Sequence, residues 1–407
     1  MALEFRPVTE QEYPAFASTN IIAFGRAPTR EDIETWRYLT ELDRTVAGFE
    51  DGQVVATSGA LSFELTVPGG AQLPASGITW VATLPTHTRR GMLREMMARL
   101  LDDAERRNEP FAILTASESS IYGRFGFGVA SLFTDVEIER EHAVFLRPYD
   151  APGRFRLISL EEATRLLPPL YDKTRLSRAG AVTRPENWWQ GMMRPNAWPA
   201  GGAVFQVVYE TPQGELAGAM RYAIESRWER GISLNTVTVR DLLATSPEVR
   251  AALWRYAFNI DLSRTIRAVH RPVDDSLRWM LTDPRRLHTI RVTDDLWLRI
   301  LDVPRALAAR TYAAVGRLVL DVRDAFRPAV AGRYLLETSP EGAVCARTDA
   351  PADLQMDITD LGAAYLGGVA WHTLADAGRV AEVTAGALER ADALFATHEA
   401  PWCATPF

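Results

Sequence analysis

Lysine is almost missing from this chain: Lys173 is the only one among 407 residues, so arginine carries nearly all the positive charge. A bias spread over the whole chain fits GC-rich coding and says nothing about any single site. Cysteine is nearly as scarce. Cys345 and Cys403 stand apart, with no CxxC and no histidine cluster, which argues against a disulfide framework or a structural zinc site. No apolar run approaches the roughly 20 residues needed to span a bilayer. A basic excess is absent too. The 52 acidic and 45 basic residues leave a formal net charge of −7, which speaks against a general nucleic-acid binder. The opening stretch MALEFRPVTEQEYPAF carries early charges and no apolar signal-peptide core. These absences lead to the expectation of a soluble, cytoplasmic protein without a metal.

What is present reads as three α+β segments. Residues 45–67 hold β-rich runs split by Asp51-Gly52, a hairpin signal, and Gly69-Gly70 marks a second turn into the strand ASGITWVATL. GMLREMMARLLDDAERRN then places Met92, Met96, Leu100 and Leu101 at helical spacing, and FAILTAS at 111–117 is a short strand. The middle of the chain repeats this order. Residues 203–225 and 231–245 read as strands, and Ser246-Pro247 opens a helix as N-cap and first helical residue. The last segment has strands at GRLVLDVRD and GRYLLETSP, a helical stretch from TDLGAAYLGG, and a final helix near TAGALERADALFA.

The stretch WVATLPTHTRRGMLREMM, residues 80–97, is a strand running into a helix through a basic loop. A helix start offers about four unpaired N–H groups and roughly half a positive charge. Gly91 allows close backbone approach, and Arg89 and Arg90 add fixed charge. Together they form a cradle for phosphate or pyrophosphate, although a capped surface helix with two solvated arginines has the same tripeptide. The second copy has LATSPEVR at this place and no cradle.

Thr88-Arg89-Arg90-Gly91-Met92-Leu93 resembles the acyl-CoA loop of the GCN5-related N-acetyltransferase (GNAT) superfamily, written Q/R-x-x-G-x-G/A. The central glycine matches; Thr88 and Leu93 depart from the pattern. Tyr122-Gly123-Arg124-Phe125-Gly126-Phe127 is similar to that superfamily's Y-x-x-x-G-F, in which the tyrosine acts as general acid. A phenol of pKa about 10 stays protonated at neutral pH and can supply a proton to a leaving thiolate. Alternatively, Tyr122 is a packing residue. With a GNAT copy, a degenerate copy, a distinct last segment and the ending PWCATPF, the full chain resembles the enhanced intracellular survival (Eis) family of aminoglycoside acetyltransferases.

That resemblance implies tandem GNAT-fold domains, the second degenerate, followed by a sterol-carrier-like α+β domain, divided as 1–145, 146–288 and 289–407. It implies acetyl-CoA as cosubstrate, direct transfer to an aminoglycoside or similar polyamine, and an assembly of six chains. The backbone of Val81, Ala82 and Thr83 is expected to hold the pantetheine arm. Thr88, Arg89, Arg90, Gly91, Met92 and Leu93 are expected around the pyrophosphate, with Ser117, Glu118 and Ser119 beside them. Tyr122 carries over as general acid, and the α-carboxylate of Phe407 as general base; an ordinary disordered tail is the alternative. Trp36, Trp80 and Glu399 are candidates for the acceptor site, as are Glu31, Asp32 and Glu34, unless they form core and a solvated helix face. His87 reads as a phosphate-side residue rather than a base. A non-catalytic lipid or sterol carrier, and an acetyltransferase for protein lysines, remain as rival readings.

Overall fold

The computed structural model describes residues 3–149, 151–194 and 202–407. The chain divides into two compact units, one of residues 1–131, 177–191 and 294–407, the other of 132–176 and 192–293. The expected cuts at 145/146 and 288/289 therefore do not follow the sheets. Leu132–Glu139 joins the second sheet, while Leu296–Ile300 joins the first. All five residues of Leu296–Ile300 are buried, so this strand needs neighbours on both sides and finds them about 170 to 190 residues back in the sequence. Hydrophobic content marks such a strand but not its partner.

The first unit's seven-stranded sheet runs in the order Glu4–Arg6, Ala47–Glu50, Gln53–Thr66, Gln72–Thr83, Phe111–Thr115, Leu296–Ile300, Gly128–Val129. Asp51 and Gly52 both take positive φ in the hairpin before Gln53–Thr66. Helix Met92–Arg106 crosses over between the two parallel strands, and it buries Met92, Met96, Met97, Leu100, Leu101 and Ala104. These pack with Ile78, Leu114, Phe125 and Phe127 in one core cluster. Burying each such Met or Leu contributes about 1.5–3 kcal/mol.

The same unit contains a five-stranded sheet, ordered Gly342–Arg347, Gly332–Ser339, Gly316–Arg323, Leu354–Asp357, Ala381–Glu382. The helical stretch expected after residue 358 is two helices, Ile358–Tyr365 and Trp371–Asp376, separated where Gly367 takes a φ of +83°. Arg310 is fully buried, and its guanidinium donates to the carbonyls of Tyr365 and Phe395. Those carbonyls end helices Ile358–Tyr365 and Ala387–Phe395, so two negative helix ends stabilise one cation.

The second unit's seven-stranded sheet is ordered His288–Asp294, Leu132–Glu139, Ser263–Pro272, Asn235–Ala244, Leu216–Glu225, Ala203–Glu210, Arg154–Ile158. Helix Pro247–Phe258 begins as expected: Ser246 caps it by accepting from the Val249 N–H, and Pro247 follows. No helix among the described residues is long and apolar enough to cross a membrane.

Candidate active site

The first unit's two parallel strands stay together only briefly. Gln72–Thr83 pairs with Phe111–Thr115 at Ala75–Phe111, Ser76–Ala112 and Gly77–Ile113, and nowhere beyond. Buried Arg44 closes this end: it donates to Ser76 Oγ at 3.0 Å and to both carboxylate oxygens of Glu109, at 2.8 and 2.6 Å. On its other side Gln72–Thr83 remains paired with Gln53–Thr66 as far as Thr83. Residues 78–83 therefore have one ladder edge open toward the diverging strand, and an extended ligand can add to such an edge.

A bulge sets the divergence. The register with Gln53–Thr66 shifts between Thr57 and Gly59, and Trp80 takes a φ of +53°. Its carbonyl is held by Asn20 Nδ2 and Thr57 Oγ1, each at 2.8 Å. Strain of this kind in a non-glycine residue persists only where the surroundings enforce it. Gly59 leaves room for the indole, since a Cβ there would lie 3.0 Å from the Trp80 ring.

Thr88 to Leu93 follow directly. Gly91 is the N-cap of helix Met92–Arg106, with φ +82° and no side-chain cap. A Cβ on Gly91 would meet nothing within 4 Å. The helix start is thus open, with its first amides unclaimed by a side chain, which is the donor set an anion needs. Met92 is core and leaves only its amide for a ligand. The two arginines differ. Arg89, at φ +62°, has no hydrogen-bond or ion-pair partner among the described residues. Arg90 is paired with Glu50 through contacts of 2.5 and 3.0 Å, and His87 Nε2 shares that carboxylate at 2.9 Å. The hydrogen bonds from Arg90, and then from His87, hold the Glu50 carboxyl down to about 2. Of the two arginines expected at the pyrophosphate, one is thus unpartnered among the described residues and the other is tethered to Glu50.

Ser117, Glu118 and Ser119 are exposed just beyond Phe111–Thr115, on the opposite lip of the opening. Tyr122 follows them, with its ring buried in the core and edge-on to Phe127 at 6.2 Å. Burial, and then the nearby Glu118 carboxylate, push its pKa above the usual value. The phenol is therefore protonated throughout the neutral range and has a proton to give, as a weaker acid than a free phenol. Gly126, at φ +83°, turns the chain beneath it. A Cβ there would strike buried Arg299, which donates to the Phe125 carbonyl and pairs with Asp324 at 2.6 Å.

Phe407 reaches the same strand end. Its main-chain oxygen accepts from Thr115 Oγ1 at 3.3 Å, and its ring lies 5.0 Å from Phe63. The tail is therefore ordered. Glu399 is elsewhere: it is exposed, paired with Arg178 at 3.4 Å, and lines a separate cavity of about 380 Å³ with Tyr312 and Thr397. Trp36 is half-buried on helix Arg30–Leu39. The acids of that helix are largely spent on local partners, Glu34 on Arg30 at 2.6 Å and Asp32 on Arg26 at 3.1 Å. Trp80 serves the bulge.

Thr115, Glu50 and Asn20 were missed by the sequence reading. Each acts through a partner 37 or more positions away, and no local spacing signals that.

Models of the acetyltransferase (GNAT) domain match residues 4–130 and 180–300, and the sterol carrier protein domain matches 303–404. An uncharacterized N-acetyltransferase of Streptomyces avermitilis is 39% identical over 99% of both chains. N-acetyltransferase Eis of Mycobacterium tuberculosis (strain H37Ra) is 34% identical, covering 96% of each. The crystal structure of Eis1 from Mycobacterium abscessus has a TM-score of 0.88 at 33% identity, covering 99% of this chain and 100% of that one. A GCN5-related N-acetyltransferase from Anabaena variabilis, 19% identical with a TM-score of 0.87, shares the fold.

Proposed function

The chain belongs to the Eis family of GNAT N-acetyltransferases, and from that premise we propose that it transfers acetyl from acetyl-CoA directly to an amine of an aminoglycoside-like polycation. The fold implies an acyl-CoA cosubstrate, which supplies an activated thioester. The observation that carries the reading is the open helix start at Gly91, beside the unpaired edge of residues 78–83. The amides after Gly91, with Arg89, hold the pyrophosphate. The backbone of Val81, Ala82 and Thr83 holds the pantetheine arm by strand addition, and Ser117, Glu118 and Ser119 flank it.

Tyr122, protonated across the neutral range, gives its proton to the departing sulfur. The Phe407 carboxylate orients the incoming ammonium and takes its proton through water. An α-carboxyl of pKa about 3.5 is a weak base, so positioning is its larger contribution. Neither cysteine suits an acyl carrier, because burial pushes the Cys345 thiol up to about 12 and that of Cys403 higher. The acceptor preference rests on family membership, as does an assembly of six chains.

The test is release of CoA over a panel of amines, with aminoglycosides and a lysine peptide side by side. Release with aminoglycosides is expected. Release only with the peptide would move the acceptor to protein lysines, and none with any amine would refute the reading.

A further inference from the structure

Six consecutive residues at the end of this sequence are each held by a separate interaction with the first unit. Trp402 donates its N–H to the Ala179 carbonyl at 2.9 Å, and the Cys403 N–H donates to Asp295 Oδ2 at 3.2 Å. Arg184 holds the next two, donating from Nη2 to the Ala404 carbonyl at 2.7 Å and from Nε to Thr405 Oγ1 at 3.0 Å. Trp188 Nε1 donates to the Pro406 carbonyl at 3.1 Å, and Thr115 Oγ1 to Phe407 at 3.3 Å. A tail with no task frays, because ordering it costs conformational entropy at every residue.

The holder is itself braced. The Arg184 guanidinium is buried and lies 4.5 Å from the Trp188 ring centroid and 5.4 Å from that of Trp189. Its segment is fastened to the sheet edge, where Thr66 N–H donates to the Ala181 carbonyl at 2.8 Å and Gly180 N–H to Thr66 at 2.9 Å. Residues 177–191, which interrupt the second unit's sequence, thus return to the first unit to grip the tail.

We infer that Thr115, Arg184 and Trp188 are positioning residues for acetyl transfer, setting the place of the Phe407 carboxylate at the end of strand Phe111–Thr115. The inference rests on the reading that this carboxylate takes part in the reaction. Thr115 sets the orientation of the terminal group; Arg184 and Trp188 fix the length of tail that reaches it.

The experiment compares full-length protein with Thr115→Val, Thr115→Ser, Trp188→Phe and a chain lacking residues 404–407. It measures turnover of acetyl-CoA with neomycin, acetyl-CoA affinity by calorimetry, and hydrogen exchange over residues 402–407. Thr115→Val and Trp188→Phe are each expected to lower kcat about 10–100-fold, the scale of an ångström of misplacement. Acetyl-CoA affinity should stay unchanged, exchange in the tail should rise, and Thr115→Ser should restore most of the rate. In the truncated chain Thr115→Val should have no additional effect. Full activity of the truncated chain would sink the carboxylate's role and this inference with it. A crippled truncation alongside wild-type kcat for Thr115→Val and Trp188→Phe would overturn the positioning alone. Unchanged tail exchange in both variants would overturn it whatever neomycin does.

Discussion

Each unit contains a strand–helix–strand crossover between parallel neighbours, Gln72–Thr83 to Phe111–Thr115 in the first and Asn235–Ala244 to Ser263–Pro272 in the second. They differ most at the helix start. In the first, Gly91 leaves the amides open, and beside them stands Arg89, a cation without a partner among the described residues. In the second, the Ser246 hydroxyl accepts from Val249, and Pro247 contributes no N–H. The parallel pairing also runs longer in the second unit, from Asn235–Ser263 to Val239–Ala268, than the three positions of the first. The same architecture thus leaves its helix start open to an anion when uncapped and splayed, and closed when capped.

Tyr122→Phe is the strongest way to break the first unit's side of this comparison. Turnover should fall about 10²–10⁴-fold while calorimetry shows acetyl-CoA binding intact, and unchanged turnover would remove Tyr122 from the chemistry. Gly91→Asp comes next. It puts a carboxylate at the proposed phosphate position; no neighbour obstructs the side chain, although the φ of +82° strains any residue other than glycine there. Acetyl-CoA affinity should weaken on the order of 10–100-fold, about 1.4 kcal/mol for each factor of ten, and unaltered affinity would show that the helix start is idle.

Glu50→Gln sharpens the comparison by freeing Arg90. The loss of a competing carboxylate should tighten acetyl-CoA binding by a few-fold at neutral pH. The Glu50 carboxyl is depressed to about 2 from an ordinary 4.5. Its hold on Arg90 is therefore complete above the ordinary value and fades as pH falls toward about 2. The variant should lack that acid-side dependence in the order of the loop, read by hydrogen exchange. Ser246→Ala has the smallest expected effect. Thermal unfolding should show about 1 kcal/mol less stability, with no change in turnover or acetyl-CoA affinity. A loss of affinity there would mean that the second crossover also binds the cofactor.

The elements built on local spacing were legible. Methionines and leucines three and four apart gave helix Met92–Arg106, Asp51-Gly52 gave its hairpin, and Ser246-Pro247 gave a capped helix at the expected residue. The open start at Gly91 was legible for the same reason, since it depends on one residue and its neighbours. The fate of Arg90 was hidden, because its partner Glu50 lies 40 positions back, at the end of strand Ala47–Glu50. The assignment of Leu296–Ile300 to the first sheet was hidden as well. Alternation and burial describe the faces of a strand, and they do not specify which edge it completes. Glu399 and the acids of helix Arg30–Leu39 were plausible cation ligands by charge alone, but arginines close by had already claimed most of them.

The placement of Leu296–Ile300 between Phe111–Thr115 and Gly128–Val129 has a consequence for synthesis. At roughly 5–20 residues per second, about 10–40 s of translation separate Phe111–Thr115 from its neighbour. During that interval a strand of mostly apolar residues has an unmatched edge, the kind of surface that chaperones cover and aggregates extend. Maturation of the first sheet must therefore wait until residue 300 has been synthesised. A fragment stopping before Leu296 will behave as an incomplete sheet rather than as a portable catalytic module.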